Sequence, residues 1–226
     1  MENNKLSEKS IDLAYRTYLF DFDGTLVDSM ASYISVMLRI LDESNIPYEN
    51  DIIKIITPLG YWGTAKFYID SLGVKQSESE IVARMNRYAY DEYAYRIQAK
   101  PNVMKTIKEL KQRGADLHIL TASPHTVLDV CLKRLGLFDY FTNIWSCDDF
   151  QTTKTDPEIY KMAASKIGKP AEEILFLDDN YNADKTAADA GMKVCGVYDQ
   201  SSEKYTEDIK RVSHHYITDF SQILIL

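Results

Sequence analysis

Residues 18–25 read Tyr-Leu-Phe-Asp-Phe-Asp-Gly-Thr, an apolar run that stops at two carboxylates one residue apart. A short run of this kind suits a strand buried on both faces, as in a parallel sheet. Its carboxyl end then carries Asp21 and Asp23, and in open α/β sheets ligands bind outside the carboxyl ends of the strands. Carboxylates at i and i+2 share a face while the strand persists. Gly24 marks a turn, because glycine accepts the backbone conformations that turns require. Taken alone, the stretch is also compatible with an ordinary strand followed by an acidic turn.

The rest of the chain narrows the choice. After Ser29, Met30, Tyr33, Ile34, Met37, Leu38 and Leu41 recur at helical spacing, with Asp28 or Ser29 placed to cap the helix. Further helices are expected near Asp51–Ile56, Trp62–Leu72 (closed by Gly73) and Ser79–Ile97, with no convincing strand between Ser29 and Gln98. From Pro101 onward helices and strands alternate. Helices are expected over Pro101–Leu110, Pro124–Leu135, Pro157–Ile167, Ala183–Ala190 and Glu203–Val212. Between them lie the strands Leu117–Thr121, Ile144–Ser146, Ile174–Leu177 and Lys193–Val197, and a last short one at Tyr216–Ile217. Such alternation implies parallel pairing. The expected fold is α/β, a Rossmann-like doubly wound parallel sheet with an inserted all-helical domain. Residues 1–28 and 99–226 form the core and 29–98 the insert.

Composition limits the function. The net charge of −8 over 226 residues argues against a nucleic-acid-binding surface. A phosphorylated small molecule remains compatible, since a local cation outweighs the global sign. Cys131, Cys147 and Cys195 are scattered and odd in number, which fits buried thiols in a reducing compartment. Met1–Ser10 is polar, and no run approaches the roughly 18 apolar residues of a membrane span. The expectation is a cytoplasmic protein without membrane or nucleic-acid partners. The histidines at 118, 125, 214 and 215 have no ligand spacing and read as structural or surface residues.

Three strand ends carry polar residues that one sheet edge would bring together: Asp21 and Asp23, Thr121, and Asp178 with Asp179. Lys154 lies in a loop just before a helix. Carboxylates from two strands make a hard-oxygen site suited to Mg²⁺. A lysine and a hydroxyl beside it would hold the oxygens of a phosphate. A carboxylate could then attack phosphorus, leaving positioning and charge neutralisation as the main catalytic demands.

The pattern resembles the haloacid dehalogenase-like superfamily. Asp21-Phe22-Asp23-Gly24-Thr25-Leu26-Val27-Asp28-Ser29 is similar to its first motif, and Thr121 after Leu117–Leu120 to its second. Lys154 in Lys-Thr-Asp-Pro-Glu-Ile-Tyr resembles the third, and Leu175-Phe176-Leu177-Asp178-Asp179 through Asp184 the fourth. The motifs fall in the family's order and span residues 17–218.

The resemblance implies a Mg²⁺-dependent phosphatase acting on a small phosphorylated metabolite of the sugar phosphate, phosphoglycolate or nucleotide type. Asp21 would be the nucleophile and a metal ligand. Asp23 would be the general acid and then the base, with its backbone carbonyl also on the metal. Thr121 and the Ala122 backbone N–H would hold phosphate oxygens, and Lys154 would neutralise the phosphate. Asp179 and Asp178 would be metal ligands, with Asp184 behind them. The insert would be a cap closing over the site. Tyr61, Trp62, Lys66, Arg96 and Lys100 are the cap-side candidates for substrate contact. Thr155 departs from the proline the family often has after the lysine. The chain is expected to be a monomer, with a dimer as the alternative. The rival readings are a phosphomutase, a phosphonate hydrolase, or a non-catalytic phosphate-binding regulator.

Overall fold

In the computed structural model, residues 13–49, 51–56 and 59–226 are described; Met1–Ser10 lies outside them. Six parallel strands form one sheet in the spatial order β3-β2-β1-β4-β5-β6. These are β1 (Thr17–Phe20), β2 (Asp116–Thr121), β3 (Asn143–Ser146), β4 (Ile174–Asp178), β5 (Lys193–Val197) and β6 (His215–Ile217). Every pairing is parallel, as the strand–helix alternation implies. β1 lies between β2 and β4, with Phe20 opposite both Ile119 and Leu177. The chain first builds outward through β2 and β3, then returns to the other side of β1 for β4. The carboxyl ends of β1 and β4 therefore flank the switch point where ligands bind in such sheets.

All four residues of β1 are buried, and alternation sorts them between two cores. Tyr18, Phe20, Leu117, Ile119, Leu175 and Leu177 join one apolar cluster. Leu19, Leu120 and Phe176 join the other, with Ile159, Tyr160 and Ala163 from a covering helix. The helices after the first strand are α1 (Met30–Glu43), α2 (Ile52–Ile56), α3 (Gly60–Leu72) and α4 (Glu78–Tyr95). Then follow α5 (Val103–Gln112), α6 (His125–Leu135), α7 (Glu158–Ile167), α8 (Tyr181–Asp189) and α9 (Thr206–Val212).

Between β1 and β2 the chain makes a long helical excursion. It leaves and returns along two segments that run side by side: Val27 bridges Ala99, and the Asp28 N–H donates to the Gln98 carbonyl at 3.0 Å. α4 packs against α1 and α3 within the excursion and against α6 beyond it. Its start is a capping box, in which the Ser77 hydroxyl accepts from the Glu80 N–H and the Glu80 carboxylate accepts from the Ser77 N–H. Glu43 joins α1 to α4 by accepting from Tyr88 at 2.5 Å and from Arg84. The Tyr88 hydrogen bond is the main reason its carboxyl is held down to about 2.

Several boundaries move from those the sequence suggests. The helix expected from Glu203 starts at Thr206, because Gln200–Tyr205 forms a 3-10 turn opened by Asp199, whose side chain accepts from the Ser201 N–H. The 3-10 turn Phe220–Ile225 buries Phe220 and Ile223 and is not expected from the pattern. Ser29 precedes α1 but makes no capping hydrogen bond, since its hydroxyl is engaged elsewhere.

Candidate active site

β1 ends at Phe20, and the Asp21 N–H still donates to the Leu177 carbonyl at 2.8 Å. That bond seats Asp21 beside the end of β4. The chain then coils tightly: Leu26 and Val27 N–H groups both reach the Phe22 carbonyl, and the Gly24 N–H reaches Val27. Gly24 takes a positive φ of 75°, and a Cβ there would lie 2.7 Å from the Asp179 carboxyl group. Glycine is thus required twice, by backbone and by space.

Asp21, Asp178 and Asp179 each present a carboxylate oxygen, all within 4.8 Å of one another, and all three are buried. Thr25 donates to Asp179 at 3.1 Å, and the Asn180 N–H donates to Asp178 at 2.8 Å. Lys154 reaches across from the loop before α7 and donates to Asp21 at 2.5 Å and to Asp178 at 2.7 Å. Tyr160 on α7 holds the backbone of that loop, donating to the Lys154 carbonyl at 3.1 Å. The Thr152 hydroxyl donates to Asp156 at 3.0 Å on the other side of the lysine. These contacts fix the loop that carries Lys154 and Thr155.

Electrostatics in the cluster are one-sided. Burial pushes the Asp21 carboxyl up to about 7, with Lys154 opposing and Asp178 and Asp23 adding to the rise. Burial, then Asp178 and Asp21, hold Asp179 well above the usual carboxylate range. Burial also resists the charge on Lys154, but Asp178 and Asp21 outweigh it and keep the ammonium protonated far above its usual range. Asp184, on α8, is fully buried with no hydrogen-bond partner for either oxygen. Burial, then Asp178 and Asp179, raise it strongly. Of these four buried carboxylates, Lys154 bonds only Asp21 and Asp178. Hard-oxygen donors with an uncompensated negative charge are the donor set of a divalent cation such as Mg²⁺.

Asp23 is held differently. One carboxylate oxygen accepts from Ser29 at 2.7 Å and from Tyr93, and the other from Ser123 at 2.5 Å. The Ser123 N–H in turn donates to the Thr121 hydroxyl at 3.1 Å. Three hydroxyls from three segments fix the Asp23 carboxyl beside Asp21. Sequence reading missed Tyr93 and Ser123 as partners. Ser123 sits two residues past Thr121 and had a local signal; Tyr93 had none, being one of many tyrosines 70 residues from Asp23.

These groups open on one cavity of about 870 Å³, lined also by Thr121, Ala122, Tyr61 and Trp62. Lys66, Arg96 and Lys100 do not line it, and the expectation that they contact substrate is corrected. Lys66 is exposed and pairs with Asp70, and Arg96 pairs with Glu92, each one helical turn away on its own helix. Lys100 is taken up by the segment after β5, where it pairs with Asp199 at 2.7 Å and donates to the Tyr198 carbonyl at 2.8 Å. His125 bridges Asp129 and Asp149 at 2.9 Å each, a structural place as anticipated. No helix among the described residues is long and apolar enough to cross a membrane.

Fold and site together define an α/β protein with a cluster of buried carboxylates at the switch point of its parallel sheet. Residues 18–197 match the family pattern of the haloacid dehalogenase-like hydrolases, and the chain belongs to that family. Pyrophosphatase PpaX of Bacillus velezensis is 27% identical over 183 residues, covering 79% of this chain and 81% of its own. The phosphorylated carbohydrates phosphatase of Thermotoga maritima is 23% identical over 175 residues, covering 77% and 81%. Among solved structures, the HAD hydrolase YfnB from Bacillus subtilis, bound to magnesium, superposes with a TM-score of 0.76 at 22% identity, covering 94% of this chain and 99% of its own. The chain stands on the phosphatase side of its family, as a phosphoric monoester hydrolase.

Proposed function

We propose that the protein is a Mg²⁺-dependent phosphatase of small phosphomonoesters that works through an aspartyl-phosphate on Asp21. The observation that carries this reading is the Asp21 carboxylate, buried, gripped by Lys154 and facing the same cavity as Asp23. An Asp21 oxygen attacks phosphorus, the bond from phosphorus to the ester oxygen breaks, and Asp23 gives that oxygen a proton. A water then attacks the same phosphorus while Asp23 takes its proton, and the Asp21 carboxylate is regenerated. Thr121, the Ala122 N–H and Lys154 hold the non-reacting phosphate oxygens. Asp21, Asp178, Asp179 and the Asp23 carbonyl would hold the Mg²⁺, which when bound offsets the charge on the phosphoryl oxygens.

Residues 29–98 act in this reading as a cap over a core of 1–28 and 99–226. The paired connections at Val27 and Ala99 support it, as does the hydrogen bond by which Tyr93 of α4 reaches Asp23. A phosphonate hydrolase would need a free amine for a Schiff base. The one lysine on the cavity among the described residues, Lys154, is instead bound to two carboxylates.

Phosphate release from phenyl phosphate tests the reading. Chelation is expected to lower the rate at least ~100-fold and added Mg²⁺ to restore it; an undiminished rate in chelator would reject metal dependence. Gly24→Ala drives a methyl group into the Asp179 carboxyl. It is expected to weaken Mg²⁺ activation ~10–100-fold, measured as the Mg²⁺ concentration giving half-maximal rate.

A further inference from the structure

The cavity wall contributed by the helical excursion has a chemistry that nothing above uses. α1 supplies Tyr33, and the start of α3 supplies Tyr61 and Trp62. The Tyr33 and Tyr61 rings stack with centroids 5.4 Å apart and planes 15° apart. Trp62 beside them is 60% exposed, a large apolar ring left open at the cavity. From α4, Val82 and Ala89 continue the apolar wall and Asn86 adds a single amide.

Charge excludes as much as these rings attract. Among the described residues Lys154 is the one cation on the cavity, and Asp21 and Asp178 already hold it. The other charged lining residues are acidic, with Asp148 joining those of the site. The nearby cations Lys66 and Arg96 pair with Asp70 and Glu92 outside the cavity. A second anionic group on the substrate would meet like charges without a counter-ion, an arrangement that acts against binding. A flat neutral ring would stack on the aromatic wall, and the Asn86 amide could both donate to and accept from its edge.

We propose that the substrate's leaving group carries a flat, uncharged ring of the nucleobase, pyridine or phenyl type, and that it bears no second phosphate or carboxylate. This rests on the phosphatase reading and narrows it. The specificity wall is Tyr33, Tyr61 and Trp62, with Asn86 reading the ring edge.

The test is kcat/KM, with Mg²⁺ present, on six compounds. Phenyl phosphate, a nucleoside 5′-monophosphate and pyridoxal 5′-phosphate carry rings and distinguish the three sources. Glucose 6-phosphate has an uncharged leaving group without a flat ring, while phosphoglycolate and pyrophosphate carry extra charge. At least one ring substrate is expected to exceed phosphoglycolate and pyrophosphate by ~10-fold or more. Trp62→Ala is expected to raise KM for that substrate ~2–10-fold, more than it raises KM for glucose 6-phosphate. Preference for phosphoglycolate, pyrophosphate or glucose 6-phosphate would overturn the proposal while the phosphatase reading stands. So would an equal effect of Trp62→Ala on all substrates. If none of the six is hydrolysed, the phosphatase reading fails, and calorimetric binding of phenyl phosphate against phosphoglycolate decides the proposal separately. Tighter binding of phenyl phosphate supports the aromatic wall, and equal or weaker binding overturns it.

Discussion

Asp21→Asn is expected to lower hydrolysis of phenyl phosphate at least ~100-fold while leaving the metal-free protein as stable as wild type, or more so. The first half follows from removing the attacking oxygen's charge. The second follows from the crowding around it. Burial and the neighbouring Asp178 and Asp23 all act against a charge at Asp21. Lys154, which loses one partner in the variant, keeps Asp178 at 2.7 Å. An uncharged amide of nearly the same shape therefore relieves repulsion without stranding the lysine. Steady-state rates and thermal unfolding in chelator measure the two halves. Retained activity would remove Asp21 from the nucleophile's role, and a large loss of stability would mean that the Lys154–Asp21 contact outweighs the cost of burying the charge.

Lys154→Ala is expected to act in the opposite sense on stability. Its side chain is 14% exposed and holds two Asp side chains that are at most 5% exposed. Removing one partner of a buried ion pair leaves charge without compensation, typically at a cost of ~3–5 kcal/mol. The metal-free variant should therefore unfold at markedly lower denaturant concentration than wild type. Added Mg²⁺ should recover part of that difference, because a cation bound by the folded state alone stabilises it. Activity should fall at least ~100-fold even with Mg²⁺ present, since the phosphate loses its one side-chain cation. Equilibrium denaturation with and without Mg²⁺ checks the first expectation and phosphate release the second. Unchanged stability in chelator would mean that the carboxylates take up protons in place of the lysine's charge.

The sheet was legible because β1 and β4 are short, buried, mostly apolar runs leading into acids, and because helices separate every later pair of strands. The four groups of candidate site residues could be picked out for the same reason: each sits at a strand end or just before a helix, where local pattern and chemistry coincide. What stayed hidden was long-range pairing. The hydroxyl of Tyr93 meets Asp23 because α4 packs back towards the core, and no period in the sequence encodes that approach. Ser29 looked like a helix cap, and its competing partner Asp23 could be found only in three dimensions. Lys66, Arg96 and Lys100 were plausible as phosphate-seeking cations. Each instead pairs with an acid that a one-dimensional reading could not choose over the substrate. Tyr61 and Trp62 line the cavity because α3 begins at Gly60, a placement that their spacing alone left open.

The covalent role of Asp21 is the central claim, and trapping tests it most directly. The enzyme is mixed with phenyl phosphate and Mg²⁺, quenched in acid during turnover, digested, and the peptide containing residues 18–29 is weighed by mass spectrometry. The wild-type peptide should carry the mass of one phosphoryl group, localised to Asp21, and the Asp21→Asn peptide should not. Turnover through a wild-type peptide that never carries the phosphoryl group, while the quench preserves an authentic acyl phosphate standard, would contradict the account and place the attack on water instead.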